Sequence, residues 1–479
     1  MYLKMIKRFF LFIISLGLVS QLSGQSGFDL AVQRLLQKPE YKNASVGMHV
    51  VDVSTGQTLY HLNSDKLFIP ASTLKLITSA TAFEILGENY RFGTKIGYRG
   101  NTDSGKLNGD LVVIGGADPA LGSEYFQDHY MDFLENWARK IKEAGIETVN
   151  GNLILDGSVF DSEKVPSTWI WEDIGNYYGA GPNAFTIYDN LFRITFSSPR
   201  KEGKPTKIIG VYPKIQGMET ANEVLSADNG IDNAYVYGSP LDKKRIIRGT
   251  IPRNRKAFTI KAAIHQPEEI LAQELLKCLA REGVFITGET LFREVNKIKF
   301  RPVFIQESPI LSEIAEVLNH ESVNLFAEHF LKQISVVENG VGDREHAIEL
   351  VQDYWEAKDI SAEYLFMEDG SGLSHFNAVS PRFFTKLLIF MAGNQSFVES
   401  LPVAGEGTLN HFDEELFPGS MLQAKSGSMT RVRCYAGYLQ LASGKKVAFS
   451  FMFNHFSGSH TKLIKEIESL FAELKESEI

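Results

Sequence analysis

The sequence predicts a mixed α/β (α+β) protein in which a strand-rich stretch interrupts a part built from helices and strands. Near the N-terminus, Val46–Val53 and Thr58–His61 alternate around the turn Ser54-Thr55-Gly56, which is typical of a β-hairpin. Between about residues 93 and 295, short alternating runs are separated by Gly, Asn and Asp, which indicates strands with few helices. These two observations favour a sheet-containing protein with a large strand-rich insertion.

Composition and charge exclude several classes of protein. The chain has 479 residues, of which 44% are hydrophobic, so neither a disordered chain nor a multi-span membrane protein is expected. The net charge of -9 offers no basic excess for a nucleic-acid partner. Its 2 cysteines cannot form a disulfide framework or a cysteine zinc site. Cys278 lies in a helical pattern, which favours a buried free thiol, although a bond to Cys434 remains open.

The N-terminus has the organisation of a secretory signal peptide. Lys4, Lys7 and Arg8 precede the apolar run FFLFIISLGLV, which is short for a membrane span, and small and polar residues follow. We therefore assign residues 1–24 to a signal peptide and expect a secreted, periplasmic protein without a stable transmembrane anchor. An uncleaved N-terminal anchor is the alternative.

Helix signals follow the hairpin. An apolar stretch begins after Pro70-Ala71 and stops at Gly87, so we predict a buried helix that starts at Ser72. Within the strand-rich stretch, one clear helix is predicted from about Tyr125 to Ala144, ending at Gly145.

The C-terminal third returns to helices and then to strands. Four helical patterns begin at Leu311 (LSEIAEVLNH, VNLFAEHFLKQI, HAIELVQDYWEA and PRFFTKLLIFMA), and Ser380 caps the last of them. Three strands are predicted next, followed by a helix with one apolar face: Ala424–Met429, Tyr435–Leu441 and Val447–Phe453, then Leu463, Ile467, Leu470 and Leu474.

Ser72 and Lys75 form a candidate nucleophile and base. A serine hydroxyl needs a neighbouring base to take its proton, and residues i and i+3 of a helix share one face. A buried lysine amine is neutral more readily than an exposed one. The pattern S-x-x-K also occurs at Ser198, Ser443 and Ser459, but only Ser72 begins a long buried helix.

Two further motifs follow in order. Ser322-x-Asn324 lies between two helical segments, and Lys425-Ser426-Gly427 opens a predicted strand. Together with Ser72-x-x-Lys75 they form the three-motif set of penicillin-interacting serine enzymes. Asn324 would hold the substrate backbone, Ser322 would relay a proton to the leaving amine, and Lys425 would meet a substrate carboxylate. Gly427 would let a substrate strand lie close to the sheet edge.

Longer stretches extend this similarity to essentially the whole chain after the signal peptide. The chain resembles the class C low-molecular-mass penicillin-binding proteins, the D-alanyl-D-alanine carboxypeptidase/endopeptidase family. The stretches that support the resemblance are Asp369–Ser374 with Asn377, Leu401–Gly405 with Gly407–Leu409, Ala424–Met429 with Ala436–Tyr438, Leu107–Leu111 with Gly115–Pro119, and Trp169–Asp173 with Tyr178–Ala180.

The resemblance implies a penicillin-binding/β-lactamase-like serine transpeptidase fold, with an antiparallel sheet flanked by helices. Ser72 and Ser322 are 250 residues apart, which matches the large insertion of this family. The catalytic domain is then discontinuous, residues 28–92 and 296–479, and residues 93–295 are expected to form two smaller β-rich domains. The third motif departs from the commoner Lys-Thr-Gly, but Ser426 keeps the hydroxyl. The stretch Gly405–Gly407 is slightly shorter than the usual form in this family.

The resemblance also implies a serine D-Ala-D-Ala carboxypeptidase, with DD-endopeptidase activity as a further possibility, acting on peptidoglycan stem peptides without cofactor or metal. Ser72 would form the acyl-enzyme and β-lactams would trap it. The backbone N–H groups of Ser72 and Ser428 would hold the oxyanion, and Lys425, Ser426 and Ser428 would bind the carboxylate.

In this family an acidic residue of the insertion recognises the amine of the peptidoglycan diamino acid. Asp173, with Tyr178 and Trp171, matches that motif, although ordinary packing would also explain the two aromatic residues.

Other enzyme classes fit the sequence less well. No G-x-S-x-G nucleophile elbow is present, and His320-Glu321 is followed by Asn324 where a zinc peptidase needs its second His. A β-lactamase-like hydrolase and a non-catalytic cell-wall-binding homologue remain as alternatives. The sequence leaves the oligomeric state open.

Overall fold

The structure is a computed structural model, and it describes residues 26–295 and 299–477. The predicted signal peptide, residues 1–24, lies outside the described residues. No helix within the described part is both long and apolar enough to cross a membrane.

Strands occur along most of the described chain. In chain order they are β1 (Ser45–Asp52), β2 (Thr58–Leu62), β3 (Gly93–Asp103), β4 (Lys106–Ile114), β5 (Thr148–Val149), β6 (Leu153–Asp156), β7 (Leu191–Ser197), β8 (Lys207–Tyr212), β9 (Glu219–Ala227), β10 (Asn233–Tyr237), β11 (Lys244–Pro252), β12 (Phe258–Ala263), β13 (Phe285–Ile286), β14 (Thr290–Phe292), β15 (Arg301–Glu307), β16 (Leu365–Phe366), β17 (Ala378–Val379), β18 (Leu422–Met429), β19 (Val432–Gln440) and β20 (Lys446–Asn454).

The α-helices lie mainly at the two ends of the chain. They are α1 (Gly27–Gln37), α2 (Lys75–Ile85), α3 (Phe133–Glu143), α4 (Trp171–Ile174), α5 (Pro267–Arg281), α6 (Leu311–Glu321), α7 (Asn324–Asn339), α8 (Arg344–Glu356), α9 (Pro381–Met391), α10 (Gln395–Glu399) and α11 (His460–Lys475).

An antiparallel five-stranded sheet joins the two ends of the chain in the order β18-β19-β20-β1-β2. Helices α1 and α11 cover one face, where Phe451 stacks on Phe471 with ring centroids 5.0 Å apart. Helix α9 and the turn before α2 pack on the other face. Because both faces are covered, nearly every residue of β19 and β20 is buried. The predicted hairpin, the predicted C-terminal strands and the antiparallel sheet flanked by helices are confirmed.

The strand-rich stretch forms three further sheets. Strands β3 to β6 and β13 to β15 make one sheet, β7, β8 and β12 make a second, and β9 to β11 make a third. Strand β15 pairs antiparallel with β3, so the first of these sheets begins at Gly93 and closes at Glu307. It therefore extends beyond residue 295, where the sequence places the end of the insertion. The pairing places the first and the last strand of this sheet side by side.

One helix prediction is wrong in its first half. Instead of a helix from about Tyr125, the structure has a short 3-10 turn, Glu124–Phe126, and α3 begins only at Phe133. Asp132 adopts a left-handed conformation (φ 52), which interrupts helical geometry between the two. The helix ends before Gly145, as predicted. The two cysteines, Cys278 and Cys434, are both buried and unpaired.

Candidate active site

Ser72 lies in a 3-10 turn, Ala71–Leu74, that leads directly into α2. The expected α-helix thus begins at Lys75, three residues later than predicted. Ala71 has a φ of 47, a conformation that is uncommon for residues with a Cβ and that concentrates at functional sites. Ala71, Thr73 and Lys75 are buried, whereas Ser72 keeps part of its surface open to solvent. The turn therefore presents the Ser72 hydroxyl outward from a buried support.

Lys75 is completely buried and contacts three oxygen atoms. Its Nζ lies 3.1 Å from Ser72 Oγ, 2.6 Å from Asn324 Oδ1 and 2.7 Å from the carbonyl oxygen of Ser371. These contacts match the three donors of an ammonium group. Burial lowers the pKa of Lys75 to about 7, and the negative charges of Asp369 and Glu328 oppose this decrease. A neutral amine, able to accept a proton from Ser72, is thus well populated near neutral pH.

Lys425 brings a second buried lysine to the same site. It lies on β18, at the edge of the five-stranded sheet, and its Nζ donates to the carbonyl oxygen of Ser426 at 3.0 Å. Burial lowers the pKa of Lys425 well below its usual value, and the charges of Lys75 and Arg433 lower it further. Ser426 is buried on the same strand, whereas Ser428 is exposed. A bound anion would compensate the repulsion between the two lysines.

Gly427 has a packing role that the sequence does not predict. A Cβ at this position would lie 2.4 Å from Pro70 O, 2.9 Å from Thr73 N and 3.0 Å from Ser72 N. These are backbone atoms of the turn that contains Ser72, and they cannot move aside as a flexible side chain can. The glycine is therefore required for packing β18 against the chain's own Ser72 turn.

Asn324 connects Lys75 to Tyr178 of the strand-rich stretch. It is the first residue of α7, its Oδ1 accepts from Lys75, and its Nδ2 donates to the carbonyl oxygen of Tyr178 at 2.8 Å. Ser322 adopts a left-handed conformation (φ 58) at the end of α6. Within the described part of the chain Ser322 is not a hydrogen-bond partner of Lys75, but it lines a cleft of about 510 Å³ together with Asn324.

The predicted recognition residues are only partly brought together. Asp173 is buried, and its carboxyl group lies next to the Tyr178 hydroxyl. Burial raises the pKa of Asp173, and the neighbouring Tyr178 hydroxyl lowers it. Since the Tyr178 carbonyl oxygen accepts from Asn324, which accepts from Lys75, Asp173 and Tyr178 lie near Lys75. Trp171 is exposed and instead stacks on Tyr237, with ring centroids 6.4 Å apart.

The loop that contains Ser371 supports Lys75, a role that the sequence does not predict. Glu328, on α7, is buried and accepts hydrogen bonds from the backbone N–H groups of Gly370 (3.1 Å) and Ser371 (2.8 Å). Gly372 has a φ of 81, and a Cβ there would lie 1.9 Å from Ala71 O. No sequence pattern indicates that a carbonyl group of this loop contacts Lys75.

A covered antiparallel sheet, a serine next to a buried lysine on the first turn of a helix, and a second lysine on the edge strand define a serine hydrolase with the penicillin-binding protein fold. The chain belongs to the D-Ala-D-Ala carboxypeptidase 3 (S13) family, whose model matches residues 29–474. It is a serine-type D-Ala-D-Ala carboxypeptidase. The predicted family, fold class and enzyme class are confirmed.

Relatives and solved structures agree with this assignment. The chain is 28% identical to the D-alanyl-D-alanine carboxypeptidase of Actinomadura sp. (strain R39), covering 92% of this chain and 85% of the relative. It is 26% identical to D-alanyl-D-alanine carboxypeptidase DacB of Haemophilus influenzae, covering 90% and 89%. The crystal structure of penicillin binding protein 4 from Haemophilus influenzae has the same fold, with a TM-score of 0.80 at 24% identity over 93% of this chain and 99% of that one.

Proposed function

We propose that Ser72 is the nucleophile and Lys75 the general base of this D-Ala-D-Ala carboxypeptidase. The main support is the 3.1 Å contact between Ser72 Oγ and the Nζ of a fully buried lysine. The Ser72 oxygen attacks the carbonyl carbon of the terminal peptide bond, and its proton passes to Lys75. The bond to the D-Ala amine breaks, an acyl-enzyme remains on Ser72, and water then cleaves it.

The remaining motif residues are proposed to bind the substrate. The N–H groups of Ser72 and Ser428 would stabilise the oxyanion, since donors directed at a developing charge lower the barrier. The cation of Lys425 and the hydroxyls of Ser426 and Ser428 would hold the free carboxylate. Asn324 would hold the substrate backbone.

Ser322 would return a proton to the leaving amine. Its place on the cleft wall beside Asn324 supports this role, because that wall borders the catalytic lysine.

The proposed substrate is the peptidoglycan stem peptide, and β-lactams are proposed as acylating inhibitors. Support comes from the family and from a solved structure of the Haemophilus influenzae protein complexed with a β-lactam, which has a TM-score of 0.76 to this chain at 23% identity. Peptidoglycan lies outside the cytoplasm, so the predicted signal peptide fits a secreted, periplasmic enzyme. We further propose that the catalytic unit comes from both ends of the chain, and that the insertion between them is organised as two smaller β-rich units.

DD-endopeptidase activity is a second candidate function. The cleft of about 510 Å³ beside Ser322 and Asn324 has room for peptide beyond the scissile bond. A cross-linked dimer carries a second stem peptide at that position, whereas a pentapeptide carries only D-Ala.

Labelling with a fluorescent penicillin tests the assignment of Ser72. We expect a stable covalent adduct on the peptide that contains Ser72, release of D-Ala from pentapeptides, and loss of both in Ser72→Ala with an unchanged thermal unfolding midpoint. Absence of an adduct on folded protein would indicate a non-catalytic homologue, and rapid turnover of penicillin would indicate a β-lactamase. Cleavage of cross-linked dimers in the same assay would establish the endopeptidase activity.

Asp173→Ala is expected to separate peptide turnover from penicillin acylation. A carboxylate that meets a substrate amine in a partly buried site contributes a charge-assisted bond, so kcat/KM for an amine-bearing pentapeptide should decrease about tenfold to a hundredfold. Penicillin has no such amine and should acylate nearly as fast as before. Glu172→Ala removes the exposed neighbouring carboxylate and serves as the control. Equal losses for both substrates would contradict the recognition role of Asp173.

A further inference from the structure

Lys75 contacts two oxygen atoms besides that of Ser72, and both are connected to one segment of the insertion, residues 169–178. The first connection is the side chain of Asn324. Its Oδ1 accepts from Lys75 at 2.6 Å, and its Nδ2 donates to Tyr178 O at 2.8 Å. Because the two bonds use opposite ends of one planar amide, the amide cannot rotate without losing both. The backbone of Tyr178 thus orients the acceptor for Lys75.

The second connection passes through one peptide group and one carboxylate. The Ser371 carbonyl oxygen accepts from Lys75 at 2.7 Å, and the N–H of the same peptide group, from Gly372, donates to Asp369 Oδ1 at 2.8 Å. Trp169 Nε1 donates to Oδ2 of the same carboxylate, also at 2.8 Å. A carboxylate at the N–H end of a peptide polarises it and makes its oxygen a stronger acceptor.

The second connection is shielded from water along its length. Asp369 and Lys75 are both 0% exposed, and Trp169 is 4% exposed. Asp369 also accepts from Ser374 N at 2.6 Å and from Asn377 Nδ2 at 2.9 Å, which holds its carboxylate rigidly. Charge-assisted bonds that are shielded from solvent fix geometry more strongly than exposed ones.

We propose that segment 169–178 of the insertion is a positioning element for the catalytic base, and that Trp169 and Asp369 are its positioning residues. The inference rests on the proposed role of Lys75 as general base. It assigns the insertion a catalytic contribution in addition to substrate recognition, because Trp169 and Tyr178 flank the candidate recognition residue Asp173. Even a small acylating agent that makes no contact with the insertion should then depend on this segment.

The charged groups that face Lys75 define the direction of the expected pH effect. Asp369 and Glu328 favour its ammonium form, whereas Lys425 disfavours it. Removing the charge of Asp369, or weakening the hold on the Ser371 carbonyl group, removes stabilisation from the ammonium form. The pKa of Lys75 should therefore decrease, and the acylation rate should reach its plateau at a lower pH.

Trp169→Phe tests the proposal in the full-length mature protein, with penicillin acylation rates measured across neutral pH. We expect the acylation rate at the plateau to fall about tenfold, since a displaced catalytic group loses reactivity steeply. We also expect the midpoint of the pH profile to move to lower pH. Trp137→Phe is the matched control, because this buried tryptophan of the insertion donates to Gln306 Oε1 at 3.2 Å, away from the site. Its rate and midpoint should equal those of the wild type.

Asp369→Asn provides an independent second variant, with the same size and no charge. It should also lower the midpoint of the pH profile. That midpoint is measured on the folded, active fraction, even if the yield of folded protein decreases. Unchanged plateau and midpoint in Trp169→Phe, or an unchanged midpoint in Asp369→Asn, would overturn the proposal. If the wild type forms no adduct at all, the assignment of Ser72 and Lys75 fails first, and this inference fails with it.

Discussion

Replacing Lys75 with methionine is expected to reduce penicillin acylation about a thousandfold while Ser72 is retained. A positioned general base contributes about 10² to 10⁴ in rate, and the Nζ of Lys75 lies 3.1 Å from the Ser72 oxygen. Methionine fills a similar volume but accepts no proton. Stopped-flow measurement of label incorporation gives the rate, and the thermal unfolding midpoint shows whether the fold is preserved.

The wild-type pH profile provides a second measurement of the same group. Because burial lowers the pKa of Lys75 to about 7, the neutral amine dominates above that pH. The acylation rate should therefore rise with pH through a midpoint near 7, and Lys75→Met should lose this step. Lys386→Met, which removes an exposed lysine from α9, is the control and should behave as the wild type. A rate for Lys75→Met within about tenfold of the wild type would contradict the role of Lys75 as base.

Gly427→Ala is expected to lower both the stability of the fold and the acylation rate strongly, because of packing alone. The added methyl group would lie 2.4 Å from Pro70 O and 3.0 Å from Ser72 N, so β18 and the Ser72 turn must separate. Overpacking of this kind costs about 1–3 kcal/mol in the free energy of unfolding. A displacement of the nucleophile should reduce acylation by about a hundredfold.

Gly393→Ala is the matched control for this substitution. Nothing lies within 4 Å of a Cβ at Gly393, so the same added methyl group should change neither stability nor acylation. Denaturant unfolding and label incorporation measure the two effects separately. If Gly427→Ala were acylated at the wild-type rate, β18 and the Ser72 turn could separate without loss of activity, which would contradict the prediction.

Local sequence patterns predicted a structural element correctly where that element depends on its own residues. The hairpin at β1 and β2, the strands β18 to β20 and the capped helix α9 follow from alternation, turn residues and a serine cap, and the structure has all of them. The predicted helix from about Tyr125 was wrong because Asp132 takes a left-handed conformation, which neighbouring residues do not dictate. Strand β15 was missed because its partner, β3, lies about 200 residues away in the chain.

The candidate site shows the same division. The sequence by itself determined the residues of the three motifs, their order and the long strand-rich stretch between them, since side-chain chemistry and spacing can be read from one chain. Only the tertiary structure decided how Lys75 is held, because its acceptors come from Asn324 and from the backbone of Ser371, and carbonyl groups have no sequence signature. It also showed the packing role of Gly427, since a close approach between two backbone segments depends on how the sheet and the turn pack. The low pKa of Lys75 has the same origin, because burial arises only when distant parts of the chain enclose the amine.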